Sequence, residues 1–153
     1  MVRGFSLERI EQARFPRLSV ELEVVKRACA VWNQTAAEVL QQNLSEQRES
    51  VNAGTSDAFH KLDSTFHALM CEHSGCSLVT ETLAQSRQKT DRLCMLSFGK
   101  ADEAATLLDD HQQLVAAIEA DNVNRALELV RLHLSRLDAT IDAIHDSHSE
   151  YFE

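Results

Sequence analysis

Apolar residues recur along this chain at spacings of three and four, the period that places them on one face of an α-helix. Glycine (4 residues) and proline (1 residue) are scarce, so few positions interrupt the pattern. The pattern therefore predicts an all-helical domain with short connections. The expected helices cover residues 6–32, 35–49, 57–73, 77–96, 101–120 and about 122–144, and a polar, solvated tail follows over 145–153.

Several residues mark where these helices begin and end. Ser6 is a candidate N-cap for the first helix, and Pro16 removes a backbone donor, which predicts a kink or a restart there. Thr35 with Glu38 three positions later predicts a capping box at the start of the second helix. The Ser74-Gly75 pair predicts the end of the third.

Four polar residues stand on or beside these apolar faces, and all four are potential metal ligands. Asp63 and His67 are four positions apart and share one face of the third helix, while His111 and His133 interrupt the apolar stripes of the last two. Burying three imidazoles and a carboxylate is costly unless each finds a partner, and one divalent cation would satisfy all four. The donor set suits zinc, nickel, iron or manganese. Histidines satisfied by hydrogen bonds in the core are the alternative.

Two arginines are candidates for binding an anion. Arg17 has Glu21 one helical turn later, which is the spacing of a helical ion pair. Arg92 stands near the inward edge of the fourth helix, beside Leu93. Each is either a surface charge or ion pair, or a guanidinium that forks onto the carboxylate of a ligand.

Composition excludes some functions. With 15 Lys and Arg against 24 Asp and Glu, the net charge of −9 argues against DNA binding by this chain alone. No apolar run is long enough for a membrane helix and no signal-peptide pattern opens the chain, so we expect a cytoplasmic protein without membrane contact. The cysteines form no CxxC pair and are interpreted as small buried apolar residues. They are Cys29, Cys71, Cys76 and Cys94.

The sequence does not indicate an enzyme. It contains no glycine-rich phosphate loop, no GxSxG, no HExxH and no pair of Glu-x-x-His motifs. A helical-bundle metalloenzyme, with a site of three histidines and one aspartate, is the alternative, and it would need a general base near the metal. Asp110 and Glu72 are the nearest candidates, but neither is predicted to face inward. A second alternative is an interaction module whose polar core groups are satisfied by hydrogen bonds and water.

Several motifs occur in an order that resembles one known family. They are Asp63-Ser-Thr-Phe66-His67, Asp110-His111, Ile118-Glu-Ala-Asp121 with Ala126, and Arg131-Leu-His133-Leu134. The chain resembles the FadR C-terminal (FCD) ligand-binding domain of GntR-type bacterial transcription regulators. Further matches are Arg17 with Glu21, Ser74-Gly75, and Asp91-Arg92-Leu93 with Leu96-Ser97. Cys76 and Cys94 depart from the family pattern, which affects the pocket lining and the effector.

The resemblance implies an all-α antiparallel bundle of six to seven helices that senses a small organic acid. It implies that a divalent metal is held by Asp63, His67, His111 and His133. It also implies that Arg17 and Arg92 bind the carboxylate of the effector and that the domain forms a homodimer.

The resemblance also suggests how the chain is organised. We expect residues 1–5 to be a linker remnant or tag and residues 6–150 to form the FCD ligand-binding and dimerisation domain. The N-terminal winged helix-turn-helix of such regulators is absent from this chain, so DNA would be contacted only through that missing domain.

Overall fold

The computed structural model describes residues 4–96 and 101–153, and these residues form a bundle of α-helices. The helices are α1 (Leu7–Val31), α2 (Gln34–Ala53), α3 (Ser56–His73), α4 (Val79–Leu96), α5 (Ala101–Glu119) and α6 (Val123–Ser147), and a 3₁₀ turn, Ser149–Tyr151, follows. No β-strand occurs over the described ranges. The predicted all-α fold is confirmed.

The helices enclose one main core. α1 packs against α3, α4, α5 and α6, while α2 packs against α3 and α5. Large side chains with almost no exposed surface fill the space between them, because the apolar stripe of each helix faces its neighbours. They include Leu40, Phe59, Phe66, Val115, Ile118 and Leu129. None of the described helices is long and apolar enough to cross a membrane.

Three helices end in the same turn. After each, one residue adopts a positive φ and the next N–H bonds back to the carbonyl five positions earlier, which is the Schellman motif. The positive-φ residues are Gly54 (69°), Gly75 (76°) and Asp121 (53°). The end predicted at Ser74-Gly75 is therefore confirmed.

The predictions for the starts and interruptions of α1 and α2 are only partly met. Of the kink or restart predicted at Pro16, the restart does not occur, because α1 continues to Val31 with buried residues, Ile10 and Arg17, on both sides of the proline. α2 does not begin with a capping box at Thr35. Asn33 caps it instead, and its Oδ1 accepts a hydrogen bond from the backbone N–H of Ala36 at 2.9 Å.

The predicted polar tail is also wrong. α6 continues to Ser147, and the chain then returns to the N-terminal segment. The Phe5 N–H donates to the Tyr151 carbonyl at 2.7 Å, and the Glu153 N–H donates to the Phe5 carbonyl at 2.8 Å. Apolar rings explain the return, because Phe5, Tyr151 and Phe152 cover a second small core. That core is formed by Ile10, Leu93, Ile141 and Ile144.

The cysteine prediction is confirmed in part. Cys29 and Cys71 are buried in the main core, while Cys76 is only partly buried at its edge. The side chain of Cys94 lies outside the described part of the structure, as does Ser97 of the fourth-helix motif.

The cap at Asn33 can be tested by mutation. We expect Asn33→Ala to lower the free energy of unfolding by about 1 kcal/mol, because the first turn of α2 loses its side-chain acceptor. Thr35→Ala is the matched control and should change stability far less. Urea denaturation of the three proteins measures both effects, and a larger loss from Thr35→Ala would contradict the observed cap.

Candidate metal centre

The four residues singled out from the sequence meet in the interior of the bundle. α3 contributes Asp63 and His67, α5 contributes His111 and α6 contributes His133. One ligand atom from each residue lies within 4.8 Å of the other three. The three imidazoles are buried, and Asp63 stands at the edge with a side chain that is 13% exposed. The tertiary structure thus brings together residues up to seventy positions apart.

The atoms that face one another are the Nε2 nitrogens and one carboxylate oxygen. Asp63 Oδ1 lies 3.5 Å from His67 Nε2 and 3.3 Å from His111 Nε2. His111 Nε2 lies 3.4 Å from His133 Nε2. Among the described residues, His67 Nε2 is a buried atom with no hydrogen-bond partner. This arrangement leaves ligand atoms facing a common point.

The outer nitrogen of every imidazole faces an oxygen acceptor. An Nδ1 nitrogen must carry a proton to donate to such an oxygen, which leaves the Nε2 lone pair directed inward. The partners are Glu21 Oε1 at 2.5 Å from His67, Gln47 Oε1 at 2.8 Å from His111, and Asp110 Oδ2 at 3.3 Å from His133. All three rings are therefore oriented as ligands in the same tautomer.

The orientation of Gln47 is itself determined by a backbone carbonyl. Leu62 O can only accept, so Asn43 presents its Nδ2 to it at 3.2 Å. Asn43 Oδ1 then accepts from Gln47 Nε2 at 2.6 Å, which turns Gln47 Oε1 toward His111. This chain of hydrogen bonds specifies that His111 Nδ1 is the protonated nitrogen.

An arginine pairs with each of the three carboxylates at the site. The pairs are Arg17 Nε with Glu21 Oε2 (3.0 Å), Arg87 Nη2 with Asp63 Oδ2 (2.6 Å) and Arg136 Nε with Asp110 Oδ2 (2.8 Å). Burial alone would raise the pKa of Asp63, but the Arg87 guanidinium, followed by the neighbouring His111 and His67, holds it well below its ordinary value. The carboxylates are thus charged.

The histidines respond differently to this environment. Burial lowers the pKa of His111 to about 3, although the neighbouring Asp63 carboxylate acts to raise it, so its ring is neutral. Burial and Arg87 act to lower the pKa of His67, but Glu21 and Asp63 outweigh them and raise it. The carboxylates of Glu21 and Asp63 therefore favour a positive charge at the centre of the cluster.

A cavity of about 450 Å³ lies beside the cluster and is large enough for a small organic molecule. Asp63 and His133 belong to both the cluster and the cavity wall. Three guanidinium groups, those of Arg17, Arg87 and Arg136, also line it, together with the acidic side chains of Asp91, Asp102 and Glu103. The cavity can therefore present cations to one end of a ligand whose other end meets the cluster.

The structure brings one of the two predicted arginines to this cavity. Arg17 lines it, and over the described ranges its buried Nη1 has no hydrogen-bond partner. Arg92 is exposed, is absent from the cavity wall, and has its Cζ 5.7 Å from the centre of the Phe5 ring. Arg87, one turn earlier on α4, lines the cavity in its place.

Comparison with known proteins identifies the family of this chain. The model of the FCD domain family matches residues 15–136. The chain belongs to the FCD domain family. The resemblance inferred from the sequence motifs is thereby confirmed.

Relatives of this FCD domain include proteins named as regulators. The HTH-type transcriptional repressor RspR of Escherichia coli K12 is 24% identical over 151 residues, which cover 99% of this chain and 66% of RspR. A protein of Shigella flexneri named as the uncharacterized HTH-type transcriptional regulator YdfH matches with the same identity and coverage. The chain thus spans 66% of the length of these relatives. Their names describe transcriptional regulators and not enzymes, in agreement with the sequence prediction.

A solved structure shares the fold. Escherichia coli McbR/YncC superimposes with a TM-score of 0.84 at 14% sequence identity. The match covers 94% of this chain and 72% of that one. The shared fold extends over nearly the whole FCD domain.

Arg87 and Asp110 were not assigned to the site from the sequence, although both carry a periodic signal. Arg87 lies four positions after the buried Leu83 and three before the buried Thr90, so it continues the inward stripe of α4 and is only 3% exposed. Asp110 lies three positions after Leu107 and is 2% exposed, so the prediction that it does not face inward is wrong. Because both residues are charged, the sequence pattern alone did not place them on the buried face of their helices.

The depressed pKa of His111 predicts acid sensitivity. In the unfolded chain this imidazole takes up a proton near pH 6.5, whereas in the fold it does so near pH 3. Its contribution to stability is complete above pH 6.5. Below that, the free energy of unfolding of the chelated domain should fall by up to about 1.4 kcal/mol per pH unit.

Urea denaturation between pH 6.5 and about pH 5 measures this slope. Asp63 and Glu21 do not contribute in this range, because their ordinary pKa values are 3.8 and 4.5 and the fold lowers both. His111→Gln should remove that part of the slope, while His73→Gln, outside the cluster, should keep it. A wild-type slope in His111→Gln would contradict the assignment.

Proposed function

We propose that this FCD domain is the effector-sensing and dimerisation part of a GntR-type transcriptional regulator. It senses a small carboxylate through a divalent metal held by Asp63, His67, His111 and His133. The observation that carries the proposal is the convergence of three Nε2 lone pairs and one carboxylate oxygen in a buried site.

Hydrogen bonds alone account poorly for this cluster. In a neutral imidazole the outer acceptor uses the one ring proton, so neutral His111 and His133 would face each other at 3.4 Å through two Nε2 lone pairs. His67 Nε2 has no hydrogen-bond partner in the described part of the chain. A divalent cation satisfies these atoms at once, and three imidazoles with one carboxylate suit zinc, nickel, iron or manganese.

The cavity supports a carboxylate as the effector. An octahedral metal bound by four protein atoms has two positions left, and the cavity wall contains both Asp63 and His133. A ligand oxygen at such a position would lie in the same cavity as the guanidinium of Arg17, whose Nη1 is available. Guanidinium groups bind carboxylates through paired hydrogen bonds. We assign this contact to Arg17 and not to Arg92, because Arg92 lies outside the cavity.

The arrangement of the helices suggests how binding is transmitted. The metal ligands lie on α3, α5 and α6, while the arginines of the cavity lie on α1, α4 and α6. A ligand that contacts both sets favours one packing of the bundle over others. In a homodimer carrying N-terminal DNA-binding domains, that shift would alter the spacing of those domains on a palindromic operator.

Metal binding is the first test. We expect calorimetric titration of the chelator-stripped chain with zinc, nickel or manganese to show one ion per chain. His111→Ala should weaken binding by more than the roughly 10–100-fold that loss of an outer partner costs. His73→Ala, a histidine of α3 outside the cluster, is the matched control and should bind normally.

The same titration can also test the hydrogen bonds that orient the imidazoles from outside. Gln47→Leu removes the acceptor that orients His111 and should weaken metal binding by roughly 10–100-fold. Gln41→Leu makes the same change at an exposed position of α2 and should have no effect. The site assignment fails if His111→Ala binds metal as tightly as the wild-type chain.

The effector is tested by thermal unfolding with a panel of small organic acids. We expect an acid that binds to stabilise the metal-loaded domain by about 2.7 kcal/mol at a hundred times its Kd, and to have little effect after chelation. Arg17→Lys keeps the charge but loses the fork, so it should weaken this stabilisation. Arg92→Lys should not. Equal stabilisation of loaded and chelated protein would contradict a role for the metal.

A further inference from the structure

Cys71 and Cys76 occupy the two ends of the turn that closes α3. Gly75 adopts a φ of 76°, the Gly75 N–H donates to the Glu72 carbonyl at 3.4 Å, and the Cys76 N–H donates to the Cys71 carbonyl at 3.1 Å. These are the two bonds of a Schellman motif, in which the first and last side chains commonly touch. Cys71 and Cys76 are those first and last residues.

The end of α2 shows how close such side chains come in this molecule. There Gly54 has a φ of 69°, and the Thr55 N–H donates to the Ser50 carbonyl at 3.1 Å. The side-chain oxygens of Ser50 and Thr55 lie 3.1 Å apart. Cysteine carries sulfur at the γ position where Ser50 and Thr55 carry oxygen, so the same turn at α3 allows the Sγ atoms of Cys71 and Cys76 to approach each other.

From this geometry we propose that Cys71 and Cys76 are a modification site, a thiol pair that a hydroperoxide converts to a reversible intramolecular disulfide. A disulfide needs Cα atoms roughly 4.4–6.8 Å apart and converging Cβ directions. The direct backbone hydrogen bond of the turn holds the two residues close together, and the Ser50–Thr55 pair is an example of side chains that converge in the same turn. The pair lies outside the metal cluster, so the proposal does not rest on the proposed function.

The two thiols have different environments, which assigns them different roles. Cys76 is partly buried at the edge of the core, whereas Cys71 is fully buried. Burial raises the pKa of Cys71 to about 11. Cys76 is therefore the attacking thiol and Cys71 the resolving one.

The reaction balances with hydrogen peroxide as the oxidant. The Cys76 thiolate attacks one peroxide oxygen, so an S–O bond forms, the O–O bond breaks and hydroxide leaves with one proton as water. The Cys71 thiol then attacks that sulfur, so the S–S bond forms and the S–O bond breaks to release a second water. The two thiols lose two protons and two electrons, the peroxide is reduced to two waters, and a dithiol reductant reverses the change to the cysteines.

The disulfide would link the C-terminal end of α3, the helix that carries Asp63 and His67, to the segment that follows it. Cys71 lies one turn after His67 on α3, while Cys76 begins the segment that leads into α4. Closing the pair therefore restrains the connection between two helices that line the cavity. The sequence interpretation of these cysteines as inert apolar residues overlooked the turn, because five-residue spacing matches no common cysteine motif.

Mass spectrometry tests the pair directly. The reduced chain is kept in chelator, treated with hydrogen peroxide, alkylated and digested with trypsin. Both cysteines fall in the peptide between Lys61 and Arg87. We expect this peptide to lose both alkyl groups and two hydrogen masses. Cleavage after Glu72 should leave two fragments that separate only after dithiol reduction.

Single substitutions provide the controls. Cys76→Ser, at the partly buried position, should abolish the linked fragments, and Cys29→Ser should leave them unchanged. Circular dichroism verifies that each variant is folded. Alkylation of both thiols in the oxidised wild-type chain would overturn the proposal. A linkage of Cys71 or Cys76 to another cysteine or another chain would overturn it equally. Because metal is absent throughout, neither result depends on the metal site.

Discussion

The structure depends on the burial of three imidazoles and a carboxylate at one point inside a helical bundle. Such burial is costly unless every polar atom is satisfied, and here it is compensated in layers. Oxygen acceptors orient the rings of His67, His111 and His133 from outside. Arginines then pair with the carboxylates of the centre and its surroundings. The unpaired nitrogens at the centre are what a cation would complete.

This layered arrangement connects every helix to the site. α1 supplies Glu21 to His67, α2 supplies Gln47 to His111, and α4 supplies Arg87 to Asp63. The remaining helices supply Asp63, His67, His111 and His133 themselves. A change of charge at the centre would therefore alter the balance of contacts on each of the six described helices. The adjoining cavity gives a small molecule access to the same centre.

The periodic pattern predicts the helices better than it predicts their ends or their charged members. Capping depends on one side chain meeting one N–H, so Asn33 and Thr35 are nearly equivalent in sequence and only Asn33 makes the bond. Likewise, Arg87 and Asp110 occupy apolar positions of their helices, and their burial is stable because each meets an opposite charge on another helix. Partners from other helices cannot be found within one helical period.

The sequence by itself determined that this chain is a helical domain of the FCD family and that Asp63, His67, His111 and His133 share its interior. Periodicity is a local property, and a polar residue that interrupts it is visible in one dimension. The tertiary structure alone decided which nitrogen of each ring faces inward, which arginine reaches the cavity, and that the tail packs against Phe5. Those outcomes depend on contacts between distant segments, whose geometry is set by how the helices pack.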